Sequence, residues 1–526
     1  MRIMFIINEL GINAPFGPMI LSAVLKKKRH DVSLGVIQKE DLEKKIGSWK
    51  PDILAYSMMS VDMKDMKKFN DSLRKKIKIF TILGGAHPTL DHSCIDDPGI
   101  DAICVGEGEE AIVEVVEALE NGKSLEGIKN IITDKASPLE LRDLIEDLDT
   151  VPFMDRELVY AHREMARFGV KGIWTSRGCV FRCPYCFNSR TNEIFKNKGR
   201  IFRRRSVESV IKETEQLVSK YRVDFIRMQD DVFIYKVDDW LKEFVDKWAT
   251  RIKIPFYCLL RSETVTEEMA FYLKKAGCFS IAMSIESADD DIRIRMMRRK
   301  VEKSDLEKAF SIFKEHKINV YANTMLALPF TKLEDDIASV DFAIKVKPEM
   351  PNFSIFMPYP GTDLGDYCAR IGVYDVNQNH IEYGMRNASS LKCFTKKEKD
   401  AQYNLCELAI IAVKLPFLRN LIVNHLIHWS PNNFFFFMHY IFSITAYGKK
   451  IFYFKHTFFE YFELLGRTLK HYIYDFLKGE KKDMCKEKQE KINKCETVLA
   501  EKERKEELEK CMEAMETGEP VGWLAS

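Results

Sequence analysis

Short apolar runs alternate with amphipathic segments along the first 135 residues. RIMFII, DVSLGVI, DILAYSMMS, KIFTILGG and DAICVG have the length and composition of buried strands. Between them, MILSAVLKKK and EEAIVEVVEALENG carry apolar residues at helical spacing. Alternating β and α units predict a doubly wound parallel sheet with helices on both faces. The ligands of such sheets bind at the carboxyl ends of the strands.

Residues 136–165, with Pro138, Pro152 and mixed charge, predict a linker. From about residue 166 the alternation resumes: GIWTSRG, DFIRMQDD, IPFYCLLR, FSIAMSIES, NVYANTMLALP and NFSIFMPYP are strand candidates with helices between them. Six such units predict a partial (β/α)6 barrel over 166–385. Residues 386–478 predict an aromatic-rich helical region, and 479–526 a charged helix and tail. Within 404–478 lie 19 of the chain's 60 aromatics, eight Lys/Arg against four Asp/Glu, and five of the eleven histidines. In IFYFKHTFFEYFELL, Phe454, Phe458, Tyr461, Phe462 and Leu465 recur at helical spacing. One reading of that stripe is an apolar face buried against the barrel. The other is an interfacial surface flanked by Lys449, Lys450 and Lys455, which suits anionic headgroups and a lipid or other apolar substrate.

Composition changes this picture little. A chain of 526 residues with 46% apolar and 30% charged residues has ample core material, and a net charge of +2 gives no reason to expect a nucleic-acid partner. Arg203-Arg204-Arg205 reads better as a basic loop before a helix capped by Ser206 than as an RNA contact. No run reaches the roughly 18 apolar residues of a membrane span. The amino-terminal segment lacks the pattern of a secretory signal, so a cytoplasmic, reducing location is expected, with membrane contact at the cytoplasmic face as an extension. In that setting the tightest group among the 13 cysteines points to metal binding before disulfides.

That group is Cys179-Val-Phe-Arg-Cys183-Pro-Tyr-Cys186, just after a predicted strand and the turn Arg177-Gly178. Three thiolates on one loop can converge on one centre, and soft ligands favour an iron–sulfur cluster or zinc. A structural zinc wants a fourth ligand nearby, and the next histidine downstream is His316. Three cysteines on a four-iron cubane leave one iron open. Elsewhere Gly84-Gly85-Ala86-His87-Pro88 follows a strand, where glycines permit close approach to a bulky ligand, or where a plain turn holds a hydrogen-bonded histidine. Asp230 and Asp231 could be a helix N-cap pair. Glu286 at a strand end calls for partners if buried.

The C-x3-C-x2-C loop with Tyr185 before its last cysteine resembles the signature of the radical S-adenosylmethionine (SAM) superfamily. The resemblance implies a [4Fe–4S] cluster on Cys179, Cys183 and Cys186, whose open iron chelates SAM. It implies reductive cleavage to methionine and a 5′-deoxyadenosyl radical, with the electron arriving from a donor such as ferredoxin or flavodoxin. It also implies SAM contacts at Tyr185, at Gln229, Asp230 and Asp231 on the second barrel strand, and at Arg261 on the third. Further contacts fall at Ser284 and Glu286 on the fourth strand and at Pro358 in Met357-Pro358-Tyr359-Pro360-Gly361-Thr362. The turn after the fifth strand, usually Gly-rich in the family, is Ala327-Leu328-Pro329-Phe330 here.

The first domain, through PFGPMILSAVLKKKRHDVSL, KPDILAYSMMS, ILGGAHPTL and DAICVGEGEEAI, is similar to the Rossmann-like cobalamin-binding domain of cobalamin-dependent radical SAM enzymes. This resemblance implies cobalamin contacts at Ser57, Met58, Gly84, Gly85, His87, Gly106 and Glu107. The D-x-H-x-x-G motif for a lower-ligand histidine is absent, which implies cobalamin with its base detached and no protein imidazole on cobalt. The function expected is methylation of an unactivated carbon on a hydrophobic small-molecule or lipid substrate. The alternatives are radical ring or C–C bond formation, and a non-catalytic cluster- or cobalamin-binding sensor.

Overall fold

The computed structural model describes residues 1–11, 14–136, 138–375, 388–453 and 501–517. The first sheet contains β1 (Arg2–Ile7), β2 (Asp31–Val36), β3 (Ile53–Ser57), β4 (Phe80–Gly84), β5 (Ala102–Cys104) and β6 (Ile131–Ile132). Its order is β2-β1-β3-β4-β5-β6, parallel throughout except for β6, which pairs antiparallel to β5. The two-residue β6 is too short to carry a periodic signal, and the sequence pattern did not reveal it.

The period of two along each strand sorts its side chains. Ile3, Phe5 and Ile7 of β1 pack with Met19, Ile20 and Leu25 of the helix Phe16–Lys27 and with Ile112, Val115 and Val116 of the helix Glu109–Glu120. Met4 and Ile6 point the other way, to Leu42 and Ile46 of the helix Leu42–Trp49 and to Met66 and Leu73 of the helix Met63–Arg74. The first of these cores continues without a break into the barrel.

The barrel sheet holds β7 (Val170–Ile173), β10 (Phe225–Met228), β11 (Phe256–Leu259), β12 (Cys278–Glu286), β13 (Asn319–Leu326) and β14 (Met350–Ile355), all parallel and neighbouring in chain order. A short antiparallel ladder of β8 (Ser176–Arg177) and β9 (Arg203–Arg204) sits at its mouth. The three arginines that begin on β9 face inward: Arg203 pairs with Glu107, Arg204 with Asp238, and Arg205 with Glu213, while Ser206 caps the helix Val207–Lys220.

The linker sets how the two sheets meet. Asp155 accepts from Ser22 Oγ at 2.6 Å and pairs with Lys26 at 2.7 Å, both on the first domain's helix. The next residue, Arg156, donates to the Gly172 carbonyl of β7 and pairs with the buried Glu213 at 3.0 Å. Adjacent side chains thus bind opposite domains.

The carboxyl-terminal helix Lys396–Lys414 packs along β14 and the helix Leu333–Val346, and the helix Asn433–Ala446 packs on it in turn. The chain then closes the barrel's amino end: Ser280 Oγ donates to the Ile451 carbonyl, and the Phe452 ring lies against Phe225 and Tyr257. The stripe from Phe454 to Leu465 lies outside the described residues. The helix Glu501–Thr517 docks on the barrel through Arg295–Glu509 and the buried Cys511, Met512 and Met515.

The turn after β13 places Ala327 and Phe330 at φ 56° and 63°, a region that favours glycine. Asp336 holds it, accepting from the Ala327 N–H at 3.0 Å and from Gln402 Nε2 at 3.0 Å. Burial pushes the Asp336 carboxyl up to about 8, so the folded state favours its protonated form. A raised carboxyl contributes stability that is full below its unfolded value near 3.8 and is lost as pH climbs through about 8. In thermal unfolding, Asp336→Asn should shrink the fall in Tm between about pH 5 and about pH 8 relative to wild type; equal slopes would contradict the assignment.

Candidate active site

Both parallel sheets aim their carboxyl ends at one another; a larger cavity lies between them and a smaller one within the barrel mouth. The smaller, of about 620 Å³, is walled by Cys179, Cys183, Tyr185, Cys186, Asp231, Arg261, Ser284, Glu286, Arg299 and Asn323, among others. Gly178, at φ +80°, makes the turn into the cysteine loop, and a Cβ there would stand 2.2 Å from the Ile201 carbonyl oxygen. Asn192 Nδ2 donates to the Cys179 carbonyl at 2.9 Å, and the Leu364 N–H donates to the Pro184 carbonyl at 2.9 Å. The loop is therefore held from both sides.

Burial pushes the Cys179 thiol up to about 11 and the Cys186 thiol to about 12, so loading a metal centre would release protons. Among the described residues no three His, Cys, Asp or Glu side chains converge closely enough to hold a single metal ion. Three thiols spread around one cavity wall fit a multi-iron cluster, with each thiolate on its own iron, better than they fit zinc.

Opposite the cysteines stands a charged cluster. Tyr185 donates to Glu286 Oε1 at 2.9 Å, and Arg299 Nη1 donates to the same oxygen at 3.0 Å. The other Arg299 nitrogen reaches Ser262 Oγ and Glu263 Oε2, each at 3.1 Å. Burial acts to raise the Glu263 carboxyl, yet Arg299 and Arg261 hold it at about 2. Arg261 lies over the Phe181 ring at 4.2 Å and within 2.7 Å of Cys183 Sγ. A register shift between Ser284 and Glu286, with Glu286 at φ 62°, turns that carboxylate into the cavity. No motif in the sequence marks Arg299, which follows an irregular helical turn, Ile292–Met296.

The larger cavity encloses about 1260 Å³. Ser57, Gly84, Gly85, Gly106 and Glu107 wall it from the first domain, and Trp174, Ser176, Arg177, Gly178, Gln229 and Asp231 from the barrel. Its floor is apolar, with Phe5, Phe16, Ile20, Ala55, Ile82 and Ile112. Gly84, Gly85, Gly106 and Gly108 line the rim with backbone alone, which permits the close approach of a bulky flat cofactor. At Gly85, φ +106°, a Cβ would fall 2.7 Å from the Met58 carbonyl oxygen; at Gly106, φ +78°, it would fall 2.2 Å from the Phe195 ring. Asp231 walls both cavities.

Several residues expected at these sites stand elsewhere. Asp230 is a strut: its Oδ1 accepts from the backbone N–H groups of Thr175 and Ser176 and from both their hydroxyls, fixing the chain as it leaves β7, and it walls neither cavity. Gln229 faces the larger cavity and not the cysteine side. Pro358 is buried off both walls. Met58 is buried beneath the cleft. His87 is turned away, with Nδ1 3.1 Å from Ser60 Oγ, and burial lowers its pKa, which keeps it neutral. Glu107 reaches the cleft but spends its carboxylate on Arg177, Arg203 and the Ile145 N–H.

Residues 174–343 match the family model described as Radical SAM superfamily, and residues 6–116 match that described as B12 binding domain. The uncharacterized methyltransferase PH0819 of Pyrococcus horikoshii is 28% identical over 375 residues, covering 67% of this chain and 78% of that protein. The hopanoid C-3 methylase of Methylococcus capsulatus is 22% identical over 370 residues, 66% of this chain and 67% of that one. Among solved structures, the radical SAM methyltransferase TsrM of Kitasatospora setae, with cobalamin and a [4Fe–4S] cluster bound, has the same fold at a TM-score of 0.58 and 16% identity, over 70% of this chain and 75% of that one. With a glycine-rimmed cleft on one sheet and a three-cysteine cavity on the other, the chain belongs to the radical SAM enzymes that carry a B12-binding domain, and its cofactors are a [4Fe–4S] cluster, SAM and cobalamin.

Proposed function

We propose that the chain methylates an unactivated carbon of an apolar substrate held between its two cavities. The observation that carries this reading is the meeting of the cavities at Asp231, so that a substrate at the junction has the SAM side and the cobalamin side within reach together. When bound, the cofactors supply a 5′-deoxyadenosyl radical and a methyl donor. The chain supplies position. Cys179, Cys183 and Cys186 would hold the cluster through their three thiolates. Tyr185, Arg261, Ser284 and Glu286, braced by Arg299, offer donors and acceptors matched to the amino, carboxylate and ribose groups of SAM. Ser57, Gly84, Gly85 and Gly106 receive cobalamin along the glycine rim, without an imidazole from His87. The electron comes from an external carrier such as ferredoxin or flavodoxin. The relatives' names include a methyltransferase, a hopanoid methylase and the anaerobic magnesium-protoporphyrin IX monomethyl ester cyclase of Rubrivivax gelatinosus, so they support methyl transfer and keep ring formation as the second reading.

Replacing Cys179, Cys183 or Cys186 by Ala should remove iron, about four per chain in the anaerobically reconstituted wild type, together with 5′-deoxyadenosine formation. Stoichiometric zinc without iron would refute the cluster assignment. With substrate extracts, a reductant and methyl-labelled SAM, the wild type should yield 5′-deoxyadenosine, S-adenosylhomocysteine and labelled product together. 5′-Deoxyadenosine and an unlabelled product, without S-adenosylhomocysteine, would point instead to ring or C–C bond formation.

Peripheral membrane contact is supported by a separate observation. Phe417, Trp429 and Phe434 of the carboxyl-terminal region are 78%, 57% and 63% exposed, and Lys449 and Lys450 are exposed nearby in sequence. Among the described residues no helix is long and apolar enough to cross a membrane. Exposed aromatic rings suit the apolar side of a membrane interface, and exposed lysines suit anionic headgroups. The full chain should float with anionic liposomes at low salt, and the triple substitution of Phe417, Trp429 and Phe434 by Ser should abolish flotation. Flotation unchanged by the triple substitution, or absent from the wild type, would refute this contact.

A further inference from the structure

Four charged side chains join the two cofactor sites. Glu107 lies on the Gly106-Glu107-Gly108 turn that walls the larger cavity. Its Oε1 accepts from Arg177 Nη1 at 2.9 Å and stands 3.0 Å from Arg203 Nη1; its Oε2 accepts from Arg203 Nη1 at 3.1 Å and from the Ile145 N–H at 2.9 Å. Arg177 also pairs with Glu109, at the start of the helix behind that turn, and lies 4.9 Å from the Trp174 ring. Arg177 and Arg203 are partners on the β8–β9 ladder. All four side chains are at most 18% exposed.

Only Gly178 separates Arg177 from Cys179. That glycine is closely packed, with the place of a Cβ taken by the Ile201 carbonyl. A buried charge that loses its partner is strongly unfavourable, so the network moves as a unit or not at all. A ligand seated on the Gly106–Gly108 turn presses on Glu107. A displaced Glu107 pulls on Arg177, whose backbone leads directly into the cysteine loop.

We propose that Glu107 and Arg177 are positioning residues that couple the cobalamin cleft to the cluster loop, so that each cofactor's binding depends on the presence of the other. The inference rests on the cofactor assignment above and adds to it a specific channel between the sites. Linkage makes the coupling reciprocal: whatever factor the cluster contributes to corrinoid affinity, corrinoid contributes to retention of the cluster.

The test uses the full chain and hydroxocobalamin. Its Kd is measured by equilibrium dialysis on cluster-loaded protein and on the same protein stripped of iron. In parallel, iron release to a chelator is timed with and without hydroxocobalamin. In the wild type the two Kd values should differ by about 5-fold or more, and corrinoid should slow iron release. In Glu107→Gln both ratios should fall toward one. Arg177→Lys should behave alike, because one ammonium nitrogen cannot take the places of two separate guanidinium nitrogens, Nη1 on Glu107 and Nη2 on Glu109. Circular dichroism checks that each variant folds, and if Glu107→Gln does not, the wild-type ratio and Arg177→Lys still decide. A wild-type ratio of one, or a ratio that survives in both folded variants, would overturn the coupling. Loss of corrinoid binding by Glu107→Gln in both cluster states would make Glu107 a ligand contact and overturn its positioning role. A wild type that binds no corrinoid at all would overturn the cofactor assignment and the coupling with it.

Discussion

Two parallel sheets can share one active site only if their carboxyl ends face each other at a fixed separation. Neither sheet can enforce that alone, because each is a self-contained β–α unit. The enforcement comes from ion pairs and hydrogen bonds that tie the linker and the cofactor-side turn to both domains. Asp155 and Arg156 set it from the linker side, one residue bound to each domain. Glu107 and Arg177 set it from the cofactor side. Burial of such pairs contributes little net stability compared with apolar packing, but it penalises any geometry that separates them. The apolar core that runs through both domains supplies cohesion, and the ion pairs supply register.

The same logic explains the cluster opposite the cysteines. A cavity meant for a zwitterionic ligand must present charges without collapsing on them. Arg299 is buried and shared among Glu286, Glu263 and Ser262, so the Glu286 carboxyl is oriented before any ligand arrives. Preorganised polar groups of this kind need no rearrangement when the ligand binds. The left-handed backbone at Glu286 is local strain that this network sustains.

Much of this was legible from residue pattern. The six barrel strands were all visible, some as continuous apolar runs such as β12 and some through alternation with a period of two such as β13. The cysteine loop was legible because its spacing is chemical. Side-chain direction was not legible. Gln229, Asp230 and Asp231 are consecutive, yet one faces the cobalamin side, one braces the backbone of Thr175 and Ser176, and one walls both cavities. A motif gives the position of such residues along a strand, but the twist of the chain as it leaves the sheet decides which way each points. Arg299 and the Arg203–Glu107 pair escaped for a related reason. Their partners are 13 to 96 residues away, and long-range pairing leaves no local periodicity.

The turn after β13 shows how a departure from pattern is absorbed. Where a glycine would take positive φ without cost, Ala327 and Phe330 take it here. The compensation comes from outside the barrel. Asp336, at the start of the next helix, accepts the Ala327 N–H and is itself met by Gln402 from the carboxyl-terminal helix. The aromatic-rich region therefore does more than cover the barrel's outer face. It reaches the strained turn through Gln402 at one end of the barrel and closes the opposite end with Phe452. A barrel left open at one edge between β14 and β7 lacks the closure that would stiffen it. Bracing at both ends by one added helical region is the substitute this chain employs, and it leaves the cavity mouth as the face free to receive ligands.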